Sequence, residues 1–278
     1  MQRSVLISGA SRGLGLATAR ELAERGYTVF AGVRKAGILR EEPGLAEVLL
    51  DVTSQSSVER AVEFARREAD GIDILINNAG LHAFGALETA SERRFRELLE
   101  VNLLGAWRLS RAVLPCMRGR GSGHILMVSS LSGLVGLPAD GQYAASKFAL
   151  EGMSESLALE VQRFGVRVTL LDAGPYDTDM LRRNKSTLRM AASSRDSEAY
   201  EPLHRALAEH GKAGEPPGNA ARIIASAVDN PPDPLRIPVG PVAEQVFASL
   251  DIDCGERARQ VAIDASRIRW WMRGEGPQ

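Results

Sequence analysis

Short apolar runs alternate with amphipathic stretches through the first two-thirds of the chain. The runs are rich in branched residues and do not alternate with polar ones, which is typical of strands buried on both faces. We interpret six of them as strands, at residues 5–7, 29–31, 48–50, 72–76, 125–128 and 166–171. Strand and helix in turn predict an α/β fold with a doubly wound parallel sheet.

Between these runs, apolar residues recur at the spacing of helices that pack on a sheet. Ala19, Leu22 and Ala23 share one face of the first predicted helix. The pattern Thr89-x-x-Glu92 predicts a capping box in front of a long helix.

The pattern changes after Gly174. A polar segment over about 176–215 predicts a substrate lid, and residues 235–239 predict one more strand. Apolar residues at helical spacing then predict an amphipathic C-terminal helix. We therefore expect a single domain over 1–250, with a helical extension over 251–278.

Composition and charge exclude several classes of function. The chain has 278 residues and a formal net charge of −1, which does not favour nucleic-acid binding. It contains no apolar run long enough for a membrane span, and a strand beginning almost at Met1 does not fit a signal peptide. Cys116 and Cys254 do not form a metal-ligand pattern. We expect a cytoplasmic protein without a metal.

A glycine-rich turn joins the first strand to the first helix. Glycines allow a tight turn and close backbone approach, and the N-terminus of a helix offers free N–H groups to a pyrophosphate. An ordinary glycine-rich turn is the alternative. The predicted phosphate-binding residues are Gly9, Ser11, Arg12, Gly13, Leu14 and Gly15.

The end of the second strand distinguishes between the two nicotinamide cofactors. An acid usually stands there in NAD-binding folds, where it holds the ribose 2′-hydroxyl. Here Arg34 takes that place, and with Arg12 it can donate to a 2′-phosphate. This favours NADP(H), although Arg34 would also suit a solvated surface. Asp51, with Val52 beside it, is expected to contact the adenine.

Tyr143 and Lys147 are four residues apart and share a face if the segment is helical. A phenol has a pKa of about 10, and a nearby ammonium favours the phenolate and lowers that pKa. The pair therefore makes a workable acid and base. Taken alone, such pairs are more often weak surface contacts.

Two further polar residues support a catalytic site. Ser130 follows a buried strand, at the sheet edge where ligands bind in open α/β folds. Its hydroxyl can donate to an oxygen that gains charge. Asn102 falls on an apolar helical stripe, so its amide must find buried partners. A turn serine and a core asparagine are the alternatives, and a relay toward Lys147 is the functional interpretation of Asn102.

Taken together, these motifs resemble the short-chain dehydrogenase/reductase family over residues 3–180, and more weakly to about 245. The resemblance implies a Rossmann-type fold and a hydride transfer between NADP(H) and a carbonyl or alcohol carbon. It rests on Ser8-Gly9-x-x-x-Gly13-x-Gly15, Asn77-Asn78-Ala79-Gly80, Asn102, Ser130 and Tyr143-x-x-x-Lys147 in this order.

The resemblance also implies residue roles. Tyr143 would exchange the proton, Lys147 would lower its pKa and hold the nicotinamide ribose, Ser130 would polarise the carbonyl, and Asn102 would anchor a relay. Further cofactor contacts are implied for Asn78, Ala79, Gly80, Gly174, Tyr176 and Thr178.

The substrate is implied less directly. Residues 234–240 are similar to the 17β-hydroxysteroid and retinol dehydrogenase-like branch of the family, which implies a bulky apolar ketone or alcohol. At the entrance to the lid, Ala173-Gly174-Pro175-Tyr176-Asp177-Thr178 stands where the family usually has Pro-Gly-x-x-x-Thr, so one proline is lost and another is gained two residues later. The pocket is expected to include His82, Leu131, Leu137 and Met180, with Leu81, Phe84 and Tyr176.

The family resemblance also implies a homodimer formed through the helices that carry Asn102 and Tyr143. Two other functions remain open, a catalytically silent NADP-binding regulatory protein and an epimerase or dehydratase of the same family. A protein that only binds nucleotide has no need of Asn102, Ser130, Tyr143 and Lys147 together, which favours the ketoreductase.

Overall fold

The computed structural model describes residues 2–183, 199–210, 214–232 and 235–250, together with residues 273 and 275. Over these residues the chain forms a sheet of seven strands. They are β1 (Ser4–Ser8), β2 (Thr28–Val33), β3 (Leu45–Leu49), β4 (Ile74–Asn77), β5 (Gly123–Val128), β6 (Val166–Ala173) and β7 (Arg236–Val239).

The strand order is β3-β2-β1-β4-β5-β6-β7, and every neighbouring pair is parallel. The order reverses between β1 and β4, so connections leave these two strands in opposite directions. Their carboxyl ends therefore open a crevice, where open α/β sheets bind ligands. The predicted α/β, Rossmann-type doubly wound sheet is confirmed.

Helices cover both faces of the sheet. They are α1 (Gly13–Glu24), α2 (Gln55–Glu68), α3 (Glu92–Leu99), α4 (Gly105–Arg120), α5 (Gly141–Val161), α6 (Glu201–His210), α7 (Pro217–Asp229) and α8 (Pro241–Leu250). One core lies under α2, α4 and α5, and a second lies under α1 and α7. In β1, Leu6 belongs to the first core while Val5 and Ile7 belong to the second, which explains the unbroken apolar runs.

Two local predictions are wrong. The third strand begins and ends earlier than residues 48–50, at Leu45–Leu49. The capping box is also incorrect, because Ser91 caps α3 by accepting a hydrogen bond from the Arg94 amide at 3.2 Å. The Thr89 hydroxyl instead donates to the Ala86 carbonyl at 3.3 Å, inside a short 3-10 turn.

The long helix predicted after residue 92 is interrupted by a wide turn. Between α3 and α4, residues Glu100–Leu104 form a π-helical segment, and Asn102 lies within it. Leu98 and Leu109 remain buried on either side of this turn. Such single π turns are frequent at functional sites, and this one holds the Asn102 side chain inside the protein.

Parts of the lid and all but two residues of the C-terminal extension lie outside the described residues. Of the predicted lid, residues 176–183, 199–210 and 214–215 are described, and they include α6. The domain boundary at 250 and the helix over 251–278 stay predictions. Within the described ranges, no helix is both long and apolar enough to cross a membrane.

Candidate active site

The glycine turn after β1 is packed so closely that side chains do not fit at two of its positions. Gly9 has φ +70°, and a Cβ there would lie 2.8 Å from the Ala79 Cα. A Cβ on Gly15 would lie 2.4 Å from both the Asn78 amide nitrogen and the Gly9 carbonyl oxygen. Arg12, the residue before α1, places no side-chain cap on the helix. The first amides of α1 therefore remain available to a phosphate.

The segment after β4 fixes this turn in place. The Ser8 hydroxyl accepts hydrogen bonds from the Asn78 and Ala79 amides at 3.1 and 3.0 Å. The Asn78 side chain donates to the Ser8 carbonyl at 2.9 Å and to the Gly9 carbonyl at 3.2 Å. Asn78, which was expected to contact the cofactor, thus holds the glycine turn with its amide nitrogen.

The other predicted cofactor residues lie around the same edge. Arg34 is exposed directly after β2, and its charge helps to stabilise the Asp51 carboxylate after β3. Burial raises the pKa of Asp51, but hydrogen bonds from Thr53 and the charge of Arg34 bring it below its usual value. Thr178 reaches Gly13, because a Cβ on that glycine would meet its methyl group at 3.4 Å.

Three further residues in this set have structural contacts. Val52 is buried, and its carbonyl accepts from Arg108 at 3.2 Å. The Gly174 amide donates to the Val239 carbonyl at 3.1 Å, which ties the end of β6 to β7. Tyr176 is buried in the core beneath α1 and α7, so its side chain serves packing there.

Tyr143, Ser130 and Lys147 meet where β5 ends and α5 begins. Tyr143 and Lys147 are on the first two turns of α5. The Ser130 hydroxyl lies close enough to the Tyr143 phenol to lower its pKa, and the Lys147 Nζ lies 5.7 Å from the centre of the Tyr143 ring. The Lys147 ammonium donates to the Val128 carbonyl at 2.8 Å. The structure therefore brings the three predicted catalytic residues together.

The expected lowering of the Tyr143 pKa by Lys147 is not found. Burial raises the pKa of Tyr143 above its usual value, the nearby Ser130 hydroxyl acts against this, and the Asp140 carboxylate adds to the rise. Lys147 is also buried, which lowers its pKa to about 8 although the Glu151 carboxylate acts against this. Its ammonium points to the end of β5 and stays largely protonated at neutral pH.

Asn102 is buried and has three hydrogen bonds, of which none is to Lys147. Its side-chain oxygen accepts from the Leu81 amide at 2.7 Å, and its nitrogen donates to the Leu81 carbonyl at 2.8 Å and to the Ser146 hydroxyl at 2.9 Å. Asn102 thus ties the strand end after β4 to the helix that carries Tyr143 and Lys147.

The sequence interpretation missed a second acid beside the tyrosine. Asp140 is buried, accepts from Ser132 at 2.5 Å and lies 2.6 Å from the Nε2 atom of His82. The His82 ring centre lies 4.0 Å from that of Tyr143. The spacing of Asp140 and Tyr143, three residues apart, was a usable signal. The contact between Asp140 and His82, which are 58 residues apart along the chain, could not be predicted from the sequence.

A buried group of acids beneath Lys147 was missed as well. Glu151, one turn after Lys147, pairs with Arg236 at 2.9 Å. Burial raises the pKa of Asp172, and the neighbouring Glu151 adds to this rise, which brings the pKa to about 9. Like charges in a buried pair disfavour double ionisation, so the protonated form of Asp172 is favoured.

A cavity of about 500 Å³, here called the lid cavity, opens between the segment after β4 and the lid. Two of the predicted pocket residues, His82 and Met180, line it, as do Leu81, Phe84 and His204. Leu137 is 61% exposed, and Leu131 is half-buried in the 3-10 turn after Ser130. Neither of these two residues lines the lid cavity.

Comparisons with known proteins agree with this geometry. The family model described as short chain dehydrogenase matches residues 3–189. The chain is 36% identical over 246 residues to the 3-ketodihydrosphingosine reductase of Bacteroides thetaiotaomicron, covering 88% of this chain and 90% of that one. It is also 36% identical to the human 17-beta-hydroxysteroid dehydrogenase type 1, covering 84% and 76%.

A similar solved structure is that of a short chain dehydrogenase from Burkholderia cenocepacia in complex with NADP. It has a TM-score of 0.74 and 28% identity, and the alignment covers 95% of this chain and 98% of that one. A short-chain dehydrogenase from Streptomyces avermitilis has a TM-score of 0.76 at 29% identity, covering 96% and 97%. Fold, site and relatives agree, and the chain is an oxidoreductase of the short-chain dehydrogenase/reductase family.

Proposed function

We propose that this oxidoreductase is an NADPH-dependent ketoreductase for bulky apolar ketones, working reversibly on the matching secondary alcohols. The observation that carries the proposal is the placement of Ser130 beside Tyr143, with the Lys147 Nζ 5.7 Å from the centre of the tyrosine ring. This group stands at the strand ends beside a glycine turn that excludes side chains at Gly9 and Gly15.

The site fits a dinucleotide. The absence of a side chain at Gly9 lets the backbone approach a pyrophosphate. The first amides of α1 would bind this pyrophosphate, and Thr178 would bind an adjoining part of the dinucleotide. Lys147 would hold the nicotinamide ribose, as the family resemblance implies. When bound, the reduced nicotinamide supplies the hydride for the carbonyl carbon.

The protein's own residues handle the proton. The Tyr143 hydroxyl donates its proton to the carbonyl oxygen, and Ser130 donates a hydrogen bond to that oxygen as charge develops. Burial raises the pKa of Tyr143, which favours the protonated acid needed for reduction. Ser130, which opposes the rise in the Tyr143 pKa, also stabilises the phenolate that remains. Asn102 keeps Leu81 and the start of α5 in fixed positions.

The preference for NADPH is supported by Arg34, which stands after β2 where no acid is present. The Burkholderia relative was solved with NADP. Arg34→Ala should weaken NADPH binding far more than NADH binding, measured by fluorescence titration, because only NADPH presents the 2′-phosphate. Arg67→Ala, on the exposed face of α2, is the control. Equal losses for the two cofactors would contradict the preference.

The bulky substrate is supported by the size of the lid cavity and by the names of two relatives, a 3-ketodihydrosphingosine reductase and a 17-beta-hydroxysteroid dehydrogenase. The test follows NADPH oxidation with a panel of bulky ketones. Tyr143→Phe should lower kcat by about 10²–10⁴-fold with unchanged NADPH affinity. Undiminished turnover in this variant would refute the mechanism. Tight NADPH binding without turnover would favour a regulatory protein. Product formation without net NADPH consumption would favour an epimerase or dehydratase.

The proposal includes a homodimer formed through α4 and α5. Leu104, beside α4, Trp107 on α4 and Phe148 on α5 are all more than a third exposed, and Arg111 stacks on Trp107 at 4.8 Å. Trp107→Glu should shift the protein to monomer in sedimentation velocity. Ile38→Glu, on another surface, is the matched control, and an unchanged sedimentation coefficient for both variants would contradict this interface.

A further inference from the structure

His204, on the lid helix α6, is a buried histidine without a hydrogen bond. Its exposed fraction is 0%, and neither of its ring nitrogens has a partner among the described residues. A buried polar atom that is left without a partner costs free energy, and such atoms are rare in folded proteins. Two unpartnered nitrogens on the ring of His204 indicate that a group outside the described residues forms the missing hydrogen bonds.

The position of α6 is fixed by a contact at its beginning. The Tyr200 hydroxyl donates to the Glu88 carboxylate, which belongs to the short turn Leu87–Thr89 across the cavity. The Tyr200 ring also stacks with the His204 ring, with centres 6.3 Å apart and planes at 28°. This contact holds His204 one helical turn further along, on the side that faces the lid cavity.

The lid cavity connects His204 with the catalytic end of the site. Both His204 and His82 line it, and the His82 ring lies 4.0 Å from the Tyr143 ring. Its volume of about 500 Å³ falls in the range of small-molecule pockets, where a few polar groups in apolar walls fix orientation. Leu81, Phe84 and Met180 supply the apolar part of the wall, and the polar part includes, besides the two histidines, Arg12, Arg94, Arg183, Thr89, Ser91 and Gln142.

We propose that His204 is a specificity residue that binds a second oxygen of the substrate, so that the substrate is an apolar ketone carrying a distant hydroxyl group. A hydroxyl both donates and accepts, and it can therefore satisfy a neutral imidazole in either tautomer. No acidic residue lines the lid cavity, so the described lining offers the imidazole no carboxylate partner in place of the ligand. This inference rests on the proposed ketoreductase function.

The test compares a homologous series of 2-alkanones with the matched ω-hydroxy-2-alkanones, whose flexible chains can place the hydroxyl at different depths. Wild-type protein should show kcat/KM about tenfold or more higher for the hydroxylated member at the best chain length, mostly through KM. His204→Leu should remove this preference by affecting the hydroxylated ketone alone. His204→Gln, which keeps a donor and an acceptor, should retain most of it.

Two controls separate the possible explanations. Tyr200→Phe, which loses the contact to Glu88, should change kcat/KM for both ketones alike, because it affects the lid and not the imidazole. Calorimetry with NADPH and the matched secondary alcohols, with and without the ω-hydroxyl, measures the same preference without turnover, because the reduced cofactor cannot oxidise an alcohol.

Equal affinity of the wild type for both alcohols, or an equal loss for both in His204→Leu, would overturn the role of His204. No turnover of any ketone, with the binding preference intact, would refute the ketoreductase function and leave the His204 subsite supported.

Discussion

Replacing Asp172 by asparagine should change how the stability of the protein depends on pH. Asp172 is fully buried at the inner end of the site, and burial with the neighbouring Glu151 raises its pKa from 3.8 to about 9. Between these two values the folded protein binds a proton that the unfolded chain releases. The free energy of unfolding therefore falls as the pH rises, and the stability is lost as the pH passes through the folded-state pKa.

The size of the effect follows from the width of this window. Each pH unit is worth about 1.4 kcal/mol for one proton. From neutral pH to about pH 9 the wild type should therefore lose up to roughly 3 kcal/mol through Asp172. Asparagine has nearly the same shape and does not titrate. The difference in unfolding free energy between Asp172→Asn and wild type should thus shift in favour of the variant as the pH rises.

The assay is urea unfolding followed by tryptophan fluorescence, at fixed protein concentration, at several pH values across this range. Asp70→Asn is the matched control, because Asp70 is exposed and its positive φ of 54° is one that asparagine tolerates. If the unfolding free energies of wild type, Asp70→Asn and Asp172→Asn had parallel pH dependences, the reasoning would be refuted. Asp172 would then be ionised in the folded protein at neutral pH.

Two other changes have expected outcomes. Gly9→Ala should destabilise the fold by more than about 1 kcal/mol, since the new Cβ would lie 2.8 Å from the backbone of Ala79. Gly152→Ala, which has open space around it in α5, should stabilise the fold by about 0.5–1 kcal/mol. Thermal denaturation measures both effects, and equal melting temperatures of the two variants would contradict this prediction. His82→Leu should leave the Asp140 carboxylate without its imidazole, raise the Tyr143 pKa further and shift the pH profile of alcohol oxidation upward, and adding Asp140→Asn should reverse the shift. An unmoved profile in both variants would exclude an influence of this pair.

The parts of the fold and site that depend on local patterns could be predicted from the sequence. Buried parallel strands leave unbroken apolar runs, and Tyr143 and Lys147 are related by one turn of helix. Ser130 and the glycine turn each follow directly from a strand end. The helix start was missed because Thr89 and Ser91 are both good capping residues, and only the backbone path selects Ser91.

The rest of the site depends on contacts between distant segments. His82 meets Asp140, and Arg236 meets Glu151, across stretches of chain that no periodicity connects. The direction of the Lys147 ammonium also could not be predicted. Its bond to the Val128 carbonyl reflects the distance between α5 and the end of β5, which is set by packing.

The π-helical turn at Glu100–Leu104 makes this part of the chain more sensitive to length than to composition. Each residue of an α-helix turns the chain by about 100°. Deleting one residue that follows Asn102 in the wide turn would let a regular helix form, but it would change the angle around the helix axis between Asn102 and Leu109. Asn102 and Leu109 could then no longer both face inward. Substitutions at exposed positions of this segment should be tolerated, whereas insertions and deletions of a single residue should not.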